Sequence, residues 1–135
     1  MGRRSRVIAL DTHAWVWWLT KPEKLGKKAA RAIKRADRIG VPAICVWEVA
    51  MKAHAGKLKF DRPPAAWIDQ ALAEDSRVAL LPLSPRIAIT AVELEWDHQD
   101  PADRLIVACA QVHDCPLVTL DERITTSGLL RCVWD

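Results

Sequence analysis

The chain has 135 residues, the size of one domain, so we expect a single domain over residues 1–135. Half of the residues are hydrophobic and 27% are charged, a globular balance that excludes a disordered tail and a collagen-like repeat. The net charge is only +3, yet residues 1–62 hold 15 basic and 5 acidic side chains, whereas residues 63–135 hold 5 and 12. This asymmetry indicates a surface for a polyanion in the first half and acidic groups gathered for another purpose in the second.

Short apolar runs alternate with helical patterns along the chain. The runs are continuous, as in strands buried on both faces of a parallel sheet. In chain order we predict a strand over 7–10, helices over 12–19 and 25–37, a strand over 39–41, helices over 43–55 and 63–75, a strand over 78–83, helices over 85–94 and 101–113, and strands over 117–120 and 130–134. This order predicts an α/β fold with a mostly parallel sheet of four to five strands, covered by helices on both faces.

The start of the chain and its cysteines bear on the compartment. Residues 1–5 form a basic extension, but the apolar run after it stops at Asp11 after four residues, short of the ~7–15 of a signal peptide. No stretch approaches the ~20 apolar residues of a membrane helix. The cysteines lack C-x-x-C spacing and lie in apolar runs, which favours buried, reduced thiols. They are Cys45, Cys109, Cys115 and Cys132. We expect a cytoplasmic protein with no membrane partner.

The helix predicted over residues 25–37 has a basic face opposite its apolar residues. The basic side chains are Lys24, Lys28, Arg31, Arg35 and Arg38. Two interpretations stay open. These residues either form an ordinary solvated helix face or contact the phosphates of a polyanion by charge neutralisation.

Four acidic residues stand where parallel sheets place their sites, beyond the carboxyl ends of the strands. Asp11 directly follows the first strand, and Asp121 follows the strand predicted over 117–120. Glu48 lies among apolar neighbours in an early helical turn, and Asp103 lies in the first turn after Asp100-Pro101. A carboxylate in apolar surroundings needs a partner, because its burial alone costs several kcal/mol. A hard cation such as Mg²⁺ or Mn²⁺ is an economical partner, and such a site activates water for phosphodiester hydrolysis.

Several residues near these acids have two interpretations each. Asp100 is best explained as a helix N-cap, and Asp103 is either a ligand or a complement to the helix dipole. Thr119 shares a strand face with Asp121 and either supports the site or packs in the strand. Arg104 is either a phosphate clamp or the ion-pair partner of a neighbouring acid. The four histidines form no metal-ligand spacing, although His13 follows Asp11 closely.

Seven tryptophans stand against one Phe and no Tyr. Trp15 and Trp18 share a helical face and Trp17 points elsewhere, so the first helix is apolar nearly all round. An exposed apolar patch there would mark a partner surface. We expect Trp47 to lie in the core.

The segments that carry these acids resemble the PIN-domain family, and in order, spacing and length the chain is similar to VapC toxins, the ribonucleases of type II toxin–antitoxin pairs. The resemblance covers roughly residues 6–134. It is carried by Val7–Ala14, by Val46–Ala50 followed by Gly56-Lys57-Leu58, by His98–Ala108 and by Leu117–Asp121.

The resemblance implies a three-layer α/β/α sandwich and a Mg²⁺- or Mn²⁺-dependent endoribonuclease. By motif, its acidic quartet corresponds to Asp11, Glu48, Asp103 and Asp121, acting as metal ligands around an activated water. Supporting roles fall to Asp100, Thr119 and Thr12, and RNA-binding roles to Lys24, Lys28, Arg31, Arg35 and Arg104. The chain departs from the family pattern at Ala102, where Phe is usual, and at Pro42, where Ser is common. The first change removes packing beside Asp103 and the second removes a hydroxyl.

The resemblance also implies partners: a VapB-like antitoxin encoded upstream that lies over the acidic groove, and a second copy of the toxin in a homodimer.

Three other functions are alternatives to this interpretation. A PIN-like RNA- or protein-binding module without catalysis would not need all four acids. A phosphoacceptor domain would need an acid pair and a strand-end Lys that are missing here. A deoxyribonuclease or flap nuclease would share the metal chemistry, but a flap nuclease needs a helical arch for which this chain is too short.

Overall fold

The computed structural model describes residues 5–135, so nearly all of the basic extension predicted at residues 1–5 lies outside the described residues. Thirteen elements follow one another in this part of the chain. They are β1 (Val7–Leu10), α1 (Thr12–Thr20), a 3₁₀ turn (Pro22–Lys24), α2 (Lys27–Arg35), β2 (Arg38–Pro42), α3 (Ala43–His54), α4 (Pro64–Ala73), β3 (Val78–Leu81), α5 (Pro85–Glu93), α6 (Pro101–Val112), β4 (Leu117–Val118), α7 (Glu122–Thr125) and β5 (Cys132–Val133).

The five strands form one parallel sheet in the order β3-β2-β1-β4-β5. The α/β class and the mostly parallel sheet predicted from the sequence are confirmed. The chain builds outward from β1 to β2 and β3, then returns to the other side of β1 to add β4 and β5. The order therefore reverses between β1 and β4, which makes the carboxyl ends of these two strands the place where open α/β sheets bind ligands.

Several predicted boundaries differ from the observed ones. β3 ends at Leu81, directly before Pro82, which has no N–H to continue a ladder. The ladder between β4 and β5 is short, although the amide of Thr119 still donates to the carbonyl of Val133 (3.2 Å). The short helix α7 was not predicted, because its four residues are too few for helical periodicity.

Helix α2 begins at Lys27, two residues later than predicted, because the backbone turns at Gly26. A Cβ at Gly26 would lie 2.3 Å from the carbonyl oxygen of Trp134, so only glycine allows this approach. The amide of Ala29 then donates to that same carbonyl (2.8 Å). These contacts join α2 to the chain end after β5.

The core lies on both faces of the sheet. Residues such as Ala9, Leu10 and Ile39 are fully buried. Trp15 is also fully buried and packs against Trp67, with ring centroids 5.6 Å apart. Within residues 5–135, every helix is too short or too polar to span a bilayer.

Two expectations about side chains need correction. Trp47 was predicted to be in the core, but it is 55% exposed, because it lies on the face of α3 that turns away from the sheet. The cysteines are all unpaired, as predicted, and Cys45, Cys109 and Cys115 are buried, whereas Cys132 is only partly so.

Candidate functional site

Asp11 lies at the carboxyl end of β1 and caps helix α1. It is buried (4% exposed), and its Oδ1 accepts a hydrogen bond from the amide of Thr12 (2.7 Å). Its Oδ2 accepts from the hydroxyl of Thr119 (2.6 Å) and lies 3.6 Å from Nδ1 of His13. The carboxylate is therefore held by short polar groups on two neighbouring strand ends.

Glu48 reaches the same strand end from α3. Its Oε1 accepts a hydrogen bond from the hydroxyl of Thr12 (2.6 Å), the residue that directly follows Asp11. Thr12 is itself buried, so the contact is fixed by its surroundings. Thr12 thus joins the acid of α3 to the acid of β1.

Asp103 enters from the first turn of α6. It is buried, and its Oδ2 lies 2.6 Å from Nε2 of His98. Asp100 begins the helix as its N-cap, with Oδ1 accepting from the amides of Ala102 (2.9 Å) and Asp103 (3.3 Å). The N-cap interpretation of Asp100 agrees with this geometry, and the cap sets the direction from which Asp103 leaves the helix.

Asp121 follows β4 and caps α7, with Oδ1 accepting from the amide of Arg123 (2.9 Å). Its own amide donates to the hydroxyl of Thr119 (3.1 Å). Because Thr119 donates its proton to Asp11 at the same time, it links the two strand-end acids. Thr119 therefore does more than pack in the strand.

Burial and neighbouring charges shift the pKa values of two of the four acids, Glu48 and Asp103. Burial raises the pKa of Glu48, and the charges of Asp11 and Asp103 add to that rise, while the Thr12 hydroxyl opposes it. Burial also raises the pKa of Asp103, together with the charges of Asp100, Asp11 and Asp121, while the hydrogen bond from His98 opposes it. Glu48 and Asp103 are therefore harder to ionise, which is the cost of placing them near other negative charges.

Few positive charges of the protein lie near these carboxylates, although the charge of Lys52 lowers the pKa of Glu48. Among residues 5–135, no Lys or Arg nitrogen lies within ion-pair distance of Asp11, Glu48 or Asp103. Asp121 has only Arg123, whose Nε is 3.7 Å away and whose side chain is 65% exposed. Clustered carboxylates with hydroxyl and amide support fit the hard-oxygen donor set of Mg²⁺ or Mn²⁺.

Arg104 has neither of the two roles considered for it. Its guanidinium is turned back into the fold and donates to five backbone carbonyls: those of Ala91 (2.9 Å), Val92 (3.2 Å), Leu94 (2.8 Å), Trp96 (2.8 Å) and His98 (3.0 Å). Arg104 satisfies the open carbonyls at the end of α5 and fixes the segment that carries His98.

The basic residues of the predicted RNA face are all exposed. Lys28, Arg31 and Arg35 line a groove of about 1090 Å³ together with Arg6 and Arg131. The groove reaches the amino ends of β1 and β4 and so extends away from the acids. Lys24 stands at the other end, with Nζ 5.3 Å from the ring centroid of Trp17. The Trp17 ring in turn contacts His13, with centroids 5.2 Å apart.

The two departures from the family pattern, Ala102 and Pro42, each change the local structure. Ala102 lines a cavity of about 410 Å³ with Ile44, Trp47 and Met51, and Glu48 and Asp100 also border it. Pro42 stands at the N-cap of α3 and offers no side-chain hydrogen bond to that helix. Neither change removes a carboxylate.

His98 is not among the predicted site residues, and His13 was noted only because it follows Asp11 closely. His98 lies among the acids, with one nitrogen and one oxygen each from Asp100 and Asp103 mutually within 4.8 Å. The expectation that no histidine has metal-ligand spacing is therefore wrong for His98, and its spacing of two and five residues before these acids was the available signal. His13 accepts the amide hydrogen of Leu120 at Nε2 (3.0 Å), a contact between distant segments that no spacing reveals.

Known proteins are similar to this chain in both sequence and fold. The family model described as PIN domain matches residues 8–126. A protein named Ribonuclease VapC22, from Mycobacterium tuberculosis (strain ATCC 25618 / H37Rv), is 39% identical over 118 residues, which are 87% of this chain and 88% of that protein.

Solved structures of low identity have the same fold. VapBC2 from Rickettsia felis, bound to a promoter DNA fragment, aligns with a TM-score of 0.70 at 19% identity, over 96% of this chain and 99% of that one. DNA-bound VapBC from Salmonella typhimurium aligns at 0.67 and 17% identity, over 96% and 97% of the two chains. With the family match and the VapC22 relative, these findings establish that the chain belongs to the PIN-domain family, among its VapC-type members.

Proposed function

We propose that this protein is the toxin of a VapBC-type toxin–antitoxin pair and an endoribonuclease that depends on Mg²⁺ or Mn²⁺. The observation that carries the proposal is that Thr12 and Thr119 join Glu48 and Asp121 to Asp11 at the carboxyl ends of β1 and β4. Asp103 is near enough for the charges of Asp11 and Asp121 to raise its pKa. The relative named as a ribonuclease supports the same activity.

The quartet would hold the divalent ion by its carboxylate oxygens. When bound, the ion supplies a water of lowered pKa and stabilises the negative charge that develops on the phosphate. The protein's part is to keep the four carboxylates ionised and fixed. Thr12 and Thr119 contribute by donating hydroxyl hydrogens to Glu48 and Asp11, which fixes the directions of these two carboxylates.

Lys24, Lys28, Arg31 and Arg35 would bind the RNA backbone along α2, from the mouth of the acidic site toward the far end of the sheet. Single-stranded RNA held in this way should show a salt dependence of about −0.7 in log K per phosphate contact. Replacing Lys28 and Arg31 by Ala in the Asp11→Asn background should reduce both the affinity and this slope, whereas Lys57→Ala, outside the groove, should change neither.

An antitoxin is the second partner in this proposal. The structural relatives are toxin–antitoxin complexes, and the exposed Trp47 and Met51 border the cavity beside Glu48, where a covering peptide would exclude RNA. A homodimer is proposed on the exposed apolar side chains of Leu80, Leu83, Ile89 and Val92 on β3, the following loop and α5. We place the protein in the cytoplasm, where its four unpaired thiols stay reduced.

The test is cleavage of structured RNA by purified protein in Mg²⁺, in Mn²⁺ and in EDTA, with single-stranded DNA of the same sequence as the control. We expect RNA cleavage that needs the divalent ion and much slower cleavage of DNA. RNA binding without cleavage would favour the binding module, and equal cleavage of DNA would favour a deoxyribonuclease. Co-expression of the reading frame directly upstream should suppress the activity.

A further inference from the structure

His98 lies in the segment between α5 and α6, and its ring is held from several directions. The side chain is 13% exposed. The ring packs edge-on against Trp96, with centroids 4.9 Å apart. Arg104 donates to the carbonyls of both Trp96 (2.8 Å) and His98 (3.0 Å), so the backbone around the ring is clamped as well.

The ring presents Nε2 to the acids of α6. Nε2 lies 2.6 Å from Oδ2 of Asp103, and Asp100 places a carboxylate oxygen within 4.8 Å of both. Oδ1 of Asp100 is occupied by the two helix amides, so the cap fixes the carboxyl group while its other oxygen is not used by them. One nitrogen and two carboxylate oxygens thus lie within 4.8 Å of one another.

We propose that Nε2 of His98 is a direct ligand of the divalent cation, together with carboxylate oxygens of Asp100 and Asp103. This inference rests on the proposed function, in which Asp103 holds such an ion. It adds a nitrogen donor to a site otherwise made of oxygen. Because imidazole suits first-row transition metals and Mg²⁺ prefers oxygen and water, His98 makes the site favour Mn²⁺ over Mg²⁺.

The contacts with Arg104 and Trp96 fix the His98 ring, which makes it suited to bind a metal. A histidine on a loose loop would have to be ordered on binding, whereas this ring already faces Asp103 at hydrogen-bond distance. In the metal-free protein the His98–Asp103 hydrogen bond keeps the donors together. Binding would exchange that hydrogen bond for two bonds to the ion, and the proton shared by Nε2 and Oδ2 would leave to solvent.

The experiment is pulsed electron paramagnetic resonance of Mn²⁺ bound to the full chain, read for coupling to a directly bound ¹⁴N nucleus, with ¹⁵N-histidine labelling to assign it. We expect the coupling in the wild type and in His54→Gln, whose histidine is exposed and distant in sequence, and its loss in His98→Gln. Competition between the two ions should show Mn²⁺ affinity falling about tenfold or more in His98→Gln, with Mg²⁺ affinity changing less than about threefold.

The outcomes separate this inference from the proposed function. Mn²⁺ that binds the wild type without nitrogen coupling overturns the role of His98 and leaves the acidic metal site intact. Coupling that persists in His98→Gln and disappears in His13→Gln also overturns it. Absence of any Mn²⁺ binding overturns both proposals. If His98→Gln fails to fold, the labelled wild-type spectrum and the His13→Gln spectrum still decide.

Discussion

Thr119 offers a sharp test of how the site is held together, because one hydroxyl supports two acids. Its Oγ1 donates to Oδ2 of Asp11 (2.6 Å) and accepts from the amide of Asp121 (3.1 Å). Thr119→Val keeps the shape of this fully buried side chain and removes both hydrogen bonds. Because no cavity forms, the change in stability reports only the loss of these two hydrogen bonds.

The magnitude follows from what is left unpaired. A buried polar group that loses its partner costs about 1–3 kcal/mol, and the loss falls here on a buried carboxylate. For a chain of this size each kcal/mol lowers the melting temperature by roughly 4 °C. We therefore expect Thr119→Val to melt roughly 4–12 °C lower in EDTA, and to bind Mn²⁺ about 10- to 100-fold more weakly because Asp11 is no longer oriented.

The assay is differential scanning calorimetry in EDTA, followed by calorimetric titration with Mn²⁺. Thr125→Val, on the exposed side of the adjacent α7, is the matched control and should change neither quantity appreciably. Unchanged melting and unchanged Mn²⁺ affinity in Thr119→Val would refute the idea that this hydroxyl couples the two strand-end acids.

Three further predictions concern charge, the clamp and the tryptophans. The pKa of Glu48 is raised above its ordinary 4.5, so its proton stabilises the metal-free fold below that pH and the stabilisation is lost as pH rises through the folded value. Glu48→Gln should therefore gain stability relative to the wild type between pH 4 and pH 7 in urea unfolding, and a parallel pair of curves would contradict this. Arg104→Lys should cost about 2 kcal/mol or more by the same method, since an ammonium group cannot reach five carbonyls, while the exposed Arg86→Lys should be near neutral. Trp67→Ala should cost about 3–5 kcal/mol and Trp47→Ala less than about 1, as measured by melting, because Trp67 is 6% exposed and Trp47 55%; similar costs would contradict the burial difference.

The fold could be predicted from the sequence because the patterns that mark its strands and helices are local. The apolar runs that became β1 and β2 are short, continuous and followed by caps or proline, and their alternation with helices leaves few topologies. The strands β4 and β5 have only two ladder residues each, so their ends depend on neighbours that a local pattern does not contain.

The acids that we propose as the site were predicted from their positions in the sequence, but only some of the side chains that hydrogen-bond to them were predicted. Asp11 and Asp121 follow strands and so share one edge of the sheet. The role of Arg104 depends on where the carbonyls at the end of α5 point, which no spacing encodes. Trp47 was placed in the core because an indole is more often buried than exposed, yet on α3 the inward positions belong to Cys45 and Val49.

We claim that the four carboxylates hold the divalent ion on which RNA cleavage depends. The most direct test compares the rate of RNA cleavage in Mn²⁺ by the wild type, by Asp11→Asn and by Asp69→Asn, whose carboxylate is exposed on α4. Each variant should first be shown to be folded by its melting curve. We predict a loss of about 100-fold or more for Asp11→Asn and none for Asp69→Asn. Equal rates for the wild type and a folded Asp11→Asn protein would contradict the claim.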